Sequence, residues 1–408
     1  MTQQAVEKSR EISIVVVGGS YAGASAAKKL TGLSKKGYTG VKVTLIDQST
    51  HYFHAVGFPK ALVNPRYAEK AFLPFSAFFD TASRHEFVNA KLLRIVDNHH
   101  IEVTGGKQIY FDYLVVATGG QSPGPINITG CNKEQGVAEI AKLREGLENA
   151  RSVLVIGGGP AGVEIAGSVA DTYPDKKVTL VHSGSRLLPL NFCETLGAGA
   201  KAKLESIGVS VVLNERIELP SDFAYASEIG SRVLKGASGN EYESDAQILA
   251  VGFQVHAEFF NPLEQELGQT LRTDKGFVRV KPTLQVDCDM LPNIFVAGDV
   301  SNLPVTTKYG FKAEMQGSTA ADNIKKLIDA GLDSMTRQDT APVPGLSKWV
   351  DYVDATLVPI GSQLGVAQLL KIPFGQSAIG NFLVRNLKTK DFMLWLRKGY
   401  FRFKDSSE

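Results

Sequence analysis

Cysteine is scarce in this sequence of 408 residues: there are 3, Cys131, Cys193 and Cys288. They are too scattered for a C-x-x-C pair or a zinc site, and their odd number argues against a disulfide framework. The expected setting is reducing, that is intracellular and cytoplasmic rather than secreted. Long apolar runs are missing as well. None approaches the ~18 residues that a membrane-crossing helix needs, and the opening MTQQAVEKSREIS lacks the apolar core of a secretory signal. Thr2 stands where N-myristoylation would need glycine. Excess charge is absent too, because 44 Lys and Arg face 42 Asp and Glu for a net charge of +2. Nucleic acid is a poor fit as partner, since phosphate contacts need a concentrated cationic face. His51 and His54 have no further ligand at suitable spacing, so no metal site is expected.

Glycine, in contrast, is plentiful, with 40 residues, and several mark turns between a β-branched run and a helical one. In IVVVGGSYAGASAA (Ile14 to Ala27), Gly18 and Gly23 take the first and third positions of a G-x-G-x-x-G pattern. Gly19 lies in the turn and Ser20 replaces the middle glycine. Gly18 permits the sharp turn and Gly23 the close packing of helix on strand, so free backbone N–H groups and the helix dipole face an anion. The strand VKVTLID then ends in Asp47, at a spacing that suits a ribose hydroxyl. A second unit, RSVLVIGGGPAGVEIA, carries the complete pattern at Gly157, Gly159 and Gly162, and VTLVH follows at the distance a β-α-β unit requires. Two such units imply two dinucleotides. The strand NIFVAGDVSN brings a further turn at Gly298-Asp299, and YLVVATGG ends where Thr118 and Gly119 let backbone approach a ligand.

These signals predict an α/β fold with two Rossmann-like domains and a small carboxy-terminal α+β domain. Residues 12–125 and 255–330 are expected to form the first, discontinuous unit, residues 126–254 the second, and residues 335–408 the third. FVNAKLLRIVDNHHIEV reads as an antiparallel meander, FVRVKPTLQV as a strand, and AEMQGSTAADNIKKLI as a helix. The tail FLVRNLKTKDFMLWLRKGYFRFK interleaves cations with bulky apolar residues. It could cap the interface between domains or lie on an anionic membrane.

The order GGSYAG, VVATGG, GGGPAGVEIA and FVAGDV resembles the two-dinucleotide flavoproteins, the family of glutathione reductase and type II NADH dehydrogenases. GGGPAGVEIAGSVADTYPDKKVTLVHS and the carboxy-terminal part resemble the apoptosis-inducing-factor-like branch, and within it the ferroptosis suppressor group. The resemblance implies FAD in the first domain, with Gly18, Ser20 and Gly23 at the pyrophosphate, Asp47 at the adenosine ribose, Asp299 at the ribitol and Lys91 at the adenine, mainly through its backbone. It implies nicotinamide dinucleotide across Gly157, Gly159 and Gly162. Lys60 and Glu164 correspond to a basic and an acidic position that face each other near the flavin, while Lys308 and Tyr309 fall where the pyrimidine edge and an acceptor channel would meet.

Where an acid would bind the free 2′-hydroxyl of NAD, this chain has His182-Ser183, with Arg186 shortly after. That favours acceptance of NADPH, with NADH usable. The expected reaction is hydride transfer from NAD(P)H to FAD and then reduction of a quinone or another small acceptor. Two alternatives stay open: a flavin oxidoreductase acting on a small secondary metabolite, and an NAD(P)H-responsive redox-sensing protein. Either a monomer or a homodimer is compatible with the sequence.

Overall fold

The computed structural model describes residues 11–80, 83–122, 128–189, 191–220, 223, 228–252, 254–304, 308–331, 345–351, 355–369, 372–373 and 378–401. The helices, in chain order, are α1 (Tyr21–Thr31), α2 (Phe58–Val63), α3 (Pro65–Lys70), α4 (Lys133–Asn149) and α5 (Pro160–Thr172). There follow α6 (Glu194–Ser206), α7 (Asn261–Leu267), α8 (Gly310–Asp329), α9 (Ala378–Val384) and α10 (Leu394–Lys398). A π-helical turn, Arg385–Thr389, follows α9.

Two sheets organise the chain. The first runs in the order Ile294–Val296, Tyr113–Val116, Ile12–Val17, Val41–Asp47, Glu86–Asn89, with every pair parallel. Its central strand is a continuous β-branched run in which Ile14, Val15 and Val16 are fully buried, as a sheet covered on both faces requires. The strand Ile294–Val296 pairs with Tyr113–Val116 although about 180 residues separate them, so the chain leaves this sheet and later returns. The second sheet has Val209–Val212, Lys177–Val181, Ser152–Ile156 and Glu241–Leu249 in parallel order, then Glu228–Gly236 and Ile217–Glu218 antiparallel at its edge. The expectation of two Rossmann-like units holds.

The two units repeat one backbone device. Gly18 and Gly157 have φ of +95° and +116°, a region that glycine enters freely. A Cβ on Gly23 would lie 1.7 Å from the Gly18 carbonyl oxygen, and one on Gly162 would lie 1.8 Å from that of Gly157. Neither contact is possible, so helix and strand meet backbone to backbone. Gly317 of α8 does the same against α1: its Cβ would be 2.0 Å from the Ala22 carbonyl oxygen.

The third unit is a small antiparallel meander, Thr356–Ile360, Leu364–Leu369 and Ile372–Pro373, followed by the helical tail. It packs on α5, where a Cβ on Gly167 would stand 2.9 Å from the Gly361 backbone nitrogen. The meander Leu92–Ile95, His100–Val103, Lys107–Tyr110 forms as expected. FVRVKPTLQV does not form one strand. The Leu284 N–H donates back to the Lys281 carbonyl, 2.8 Å, and Leu284 has φ of +71°. The turn around Pro282 therefore breaks the run into isolated bridges, Val278 with Ser301 and Val280 with Val286. Among the described residues no helix is long and apolar enough to cross a membrane.

Part of the tail packs on the first unit. Phe392, Leu394 and Phe401 are buried, and the Phe401 ring lies 5.3, 5.9 and 5.2 Å from those of Tyr52, Phe75 and Phe78. Phe382 and Trp395 remain 65% and 62% exposed.

Because α1 and α8 touch through backbone, Gly317→Ala should separate them. The expected cost is ~1–3 kcal/mol of unfolding free energy, read by chemical denaturation. An unchanged midpoint would mean that the crossing relaxes without loss.

Candidate active site

At the first glycine turn the Gly18 N–H donates to the Ile46 carbonyl, 2.8 Å, and the Gly19 N–H to Asp47 Oδ2, 2.7 Å. The other oxygen of Asp47 accepts the Ser49 N–H, 2.8 Å. Burial holds the Asp47 carboxyl above its ordinary range, against the pull of these hydrogen bonds. A cavity of about 490 Å³ runs from this turn, lined by Gly18, Asp47, Lys91, Thr118, Gly119 and His256 among others.

Helix α1 begins at Ser20, whose side chain does not cap it, and its first turn holds no acid. Helix α4, away from the turn, instead has a full capping box of Asn132 and Gln135. The first N–H groups of α1 are thus left for an anion, and the Gly18–Gly23 contact leaves backbone alone at the turn. The residues present fit the pyrophosphate and ribose of a dinucleotide. Lys91 lines the cavity; its N–H donates to Thr104 Oγ1, 3.2 Å, and its carbonyl accepts the Thr104 N–H, 2.9 Å. The carbonyl oxygen keeps a second lone pair and the side chain is exposed, so backbone and side chain both have capacity for a ligand there.

The second turn repeats the first with one change. The Gly158 N–H donates to His182 Nδ1, 3.1 Å, where Gly19 met a carboxylate. Burial keeps the His182 ring below its ordinary pKa, so the partner here is neutral. Helix α5 starts at Gly159, again without a side-chain cap or a first-turn acid. Arg186 donates to the Phe192 carbonyl, 3.0 Å, and is half-buried.

The third turn joins the first unit to α8. The Gly298 N–H donates to Gln316 Oε1, 2.7 Å. Lys308 Nζ donates to the carbonyls of Asp299, 2.7 Å, and Ser301, 3.3 Å, and stands 4.7 Å from the Phe277 ring centre. Burial raises the Asp299 carboxyl, and the Lys308 charge opposes this. Tyr309 is the first residue before α8, which also lacks a side-chain cap. The Tyr309 hydroxyl and Thr356 Oγ1 are 3.0 Å apart. Burial pushes the phenol above its ordinary pKa, and the nearby Glu164 charge adds to the shift.

The expected Lys60–Glu164 pair does not form. Glu164, 5% exposed, accepts Lys388 Nζ at 2.6 Å, and Lys388 also donates to the Leu357 carbonyl, 3.0 Å. Lys60 Nζ donates instead to the carbonyls of Thr389, 3.0 Å, and Lys390. The reason is competition between two lysines: Lys388, on the π-helical turn Arg385–Thr389, takes the place beside Glu164, while Lys60 is held by the carbonyls that follow that turn. Glu164, Lys388, Thr356 and Tyr309 thereby form one polar cluster where α5, α8 and the third unit meet. Lys388 and Thr356 were not singled out from the sequence. Lys388 was visible there only as one cation among many in the tail.

A family model described as pyridine nucleotide-disulphide oxidoreductase matches residues 12–322. Fe-regulated protein 8 of Mycosarcoma maydis is 29% identical over 415 residues, covering 96% of this chain and 98% of that protein. Ferroptosis suppressor protein 1 of Homo sapiens is 26% identical over 399 residues, 97% of each chain. The structure of NDH2 from Plasmodium falciparum in complex with NADH aligns with a TM-score of 0.66 at 14% identity, over 97% of this chain and 100% of that one. At that identity the likeness is one of fold.

Two outcomes are expected from this geometry. A Cβ on Gly159 would meet no protein atom within 4 Å, so Gly159→Ala should leave the unfolding midpoint unchanged. It should weaken NAD(P)H binding by about tenfold or more, because only a ligand needs that space. Unchanged affinity in titration calorimetry would move the nucleotide off this loop. Lys388→Met leaves a buried carboxylate unpaired, a loss of ~3 kcal/mol. The Glu164 carboxyl is already held above its ordinary 4.5 by burial, and removing the cation raises it further. In the unfolded chain it titrates near the ordinary value, so the penalty is absent at lower pH and grows as pH rises through the raised value. Denaturation at about pH 5 and about pH 8 should show the larger deficit at the higher pH. An equal deficit at both would mean that Glu164 is not the group exposed.

Proposed function

Since the chain belongs to the pyridine nucleotide-disulphide oxidoreductase family and is an NAD(P)H-dependent flavin oxidoreductase, we propose that its second substrate is a quinone-type acceptor. FAD, when bound, supplies a centre that takes a hydride and can give electrons up singly, which suits a quinone. We assign it to the unit of residues 12–125 and 255–330, and the nicotinamide dinucleotide to residues 126–254. The turn Gly18, Gly19, Ser20 and Gly23 would hold the pyrophosphate, Asp47 the ribose and Asp299 the ribitol. Gly157, Gly159, Gly162 and His182 would hold the nicotinamide dinucleotide. With a neutral ring at position 182, nothing there repels a 2′-phosphate, and Arg186 is the cation to meet one.

The observation that carries the reading is the Glu164–Lys388–Thr356–Tyr309 cluster, which contains no thiol. A disulfide substrate or relay needs paired sulfurs, and the three cysteines stand apart as free thiols. A quinone instead needs hydrogen-bond donors at its oxygens and protons as it is reduced. Tyr309 keeps its O–H proton because burial raises its pKa, and Lys388 holds a positive charge against Glu164. These groups would orient an acceptor and stabilise developing negative charge on it. Lys308 fixes the carbonyls of the Asp299 turn and so keeps that carboxylate in position.

The test is anaerobic. The yellow protein should be bleached by NADPH or NADH, and a short-chain ubiquinone should restore its colour promptly. Bleaching without recovery would overturn the quinone reading and favour a metabolite enzyme or a redox sensor. In the same experiment Glu164→Ala should retain FAD yet be reduced by the nucleotide on the order of tenfold more slowly. An unchanged rate would remove Glu164 from the active site.

A further inference from the structure

Lys60, turned away from Glu164, borders a second hollow of about 290 Å³ between α3 and the tail. Its lining holds five cationic side chains, Lys60, Arg66, Lys70, Lys390 and Lys398, and one carboxylate, Asp391. The acceptors of its wall are already engaged. Asp391 accepts the backbone N–H groups of Met393, 3.0 Å, and Trp395, 3.1 Å. The carbonyl of Asp391 accepts the Tyr67 hydroxyl, 2.8 Å, and those of Thr389 and Lys390 accept Lys60. On α3, Glu69 is paired with Lys133 at 2.9 Å. Arg66, Lys70 and Lys390 are exposed. The hollow therefore presents concentrated positive charge in a chain whose net charge is only +2.

Its rim is apolar. Trp395 follows Leu394, itself part of the lining, and lies one helical turn before Lys398. Its indole is 62% exposed, and on the same tail Leu387 is 49% and Leu396 38% exposed. A soluble phosphate compound would use the cations and leave these side chains in water. A bilayer surface uses both, since phosphate headgroups meet Lys and Arg while indole and leucine enter the boundary with the acyl chains. We propose that this hollow and the Trp395 rim form a docking surface for the phosphate headgroups of an anionic membrane. The surface lies on the tail that also delivers Lys388 to the active-site cluster. The inference goes beyond the quinone reading and does not rest on it.

Co-sedimentation of the FAD-loaded full chain with vesicles tests it without any redox readout. The protein should bind phosphatidylcholine vesicles containing phosphatidylserine and lose binding as salt is raised. Each cation removed should cost about fivefold in partitioning, so the triple variant Arg66→Gln, Lys70→Gln, Lys390→Gln should bind on the order of a hundredfold more weakly. Retained FAD absorbance and unchanged reduction of a water-soluble acceptor would show that this variant is folded. Trp395→Ala, a change at an exposed site, should also weaken binding and leaves a second route if the triple variant is unstable. No binding of the parent protein to the anionic vesicles would overturn the proposal. So would equal binding to vesicles of phosphatidylcholine alone, or equal binding by the variants. Release of the protein by glycerol phosphate at constant ionic strength would assign the hollow to a soluble phosphate compound and overturn the lipid assignment.

Discussion

A helix can begin hard against a strand only where no Cβ intervenes, and this constraint shapes the glycine turns of both large sheets. Gly23 rests on the Gly18 carbonyl and Gly162 on that of Gly157, at separations that forbid any side chain. The close approach brings the uncapped ends of α1 and α5 to the carboxyl edges of their sheets, where a chain reversal leaves a crevice. A helix end without a cap is a cost in an ordinary setting, about 1 kcal/mol relative to a good cap. Among the described helices α3 and α4 carry a side-chain cap, whereas α1, α5 and α8, like α2, α6, α7 and α10, do not. An open helix end is therefore not by itself the mark of a ligand; what sets α1 and α5 apart is the glycine contact that seats them against their strands.

The identity of the cation opposite Glu164 follows from the third unit. Burying a carboxylate without a partner costs several kcal/mol, so some cation must accompany it. α2 carries a lysine nearby, but the ammonium of Lys60 is drawn to the carbonyls that end the π-helical turn, where the helix dipole is negative. Lys388, one residue before those carbonyls, then reaches Glu164. The two lysines thus divide two negative ends between them. The charge balance at Glu164 and the docking of the tail are in this sense the same set of contacts, and neither can change without the other.

Most of the fold was legible because its signals are local. The Gly18–Gly23 and Gly157–Gly162 turns, the terminal Asp47 and the helix α8 each occupy a short window in which pattern and physics coincide. The strand read at FVRVKPTLQV failed because a tight turn at Pro282 competes with the alternation. Lys91 lines the cavity, and its bonds to Thr104, in the turn after the strand His100–Val103, join residues 13 positions apart that no local pattern links. The Glu164–Lys388 contact joins residues 224 positions apart. No periodicity encodes such a pair, and the likeness to a family supplied a different lysine. His182 was read as a lost acid, whereas the structure shows the same turn-holding bond made by a neutral acceptor.

The latch of the tail on the first unit also explains an otherwise costly backbone. Phe392 and Met393 have φ of +51° and +65°, a region that costs non-glycine residues ~1–3 kcal/mol each. The surrounding contacts hold them there. His54 Nε2 must carry its proton, because it faces the Phe392 carbonyl at 2.8 Å. Its Nδ1 then accepts the Tyr21 hydroxyl, 3.1 Å, and the Tyr21 oxygen accepts the Val56 N–H, 3.2 Å. Burial lowers the His54 pKa to about 4, so this chain of bonds keeps one charge state throughout the neutral range. Carbonyls 389 to 392 are each taken by a side chain from residues 54–67, namely Lys60, Tyr67 and His54. The π-helical turn ends at Thr389, so these carbonyls lie at a helix end that leaves them free for side-chain donors as the chain turns. The left-handed pair lies where that turned segment ends, and so accompanies the placement of Lys388 beside Glu164.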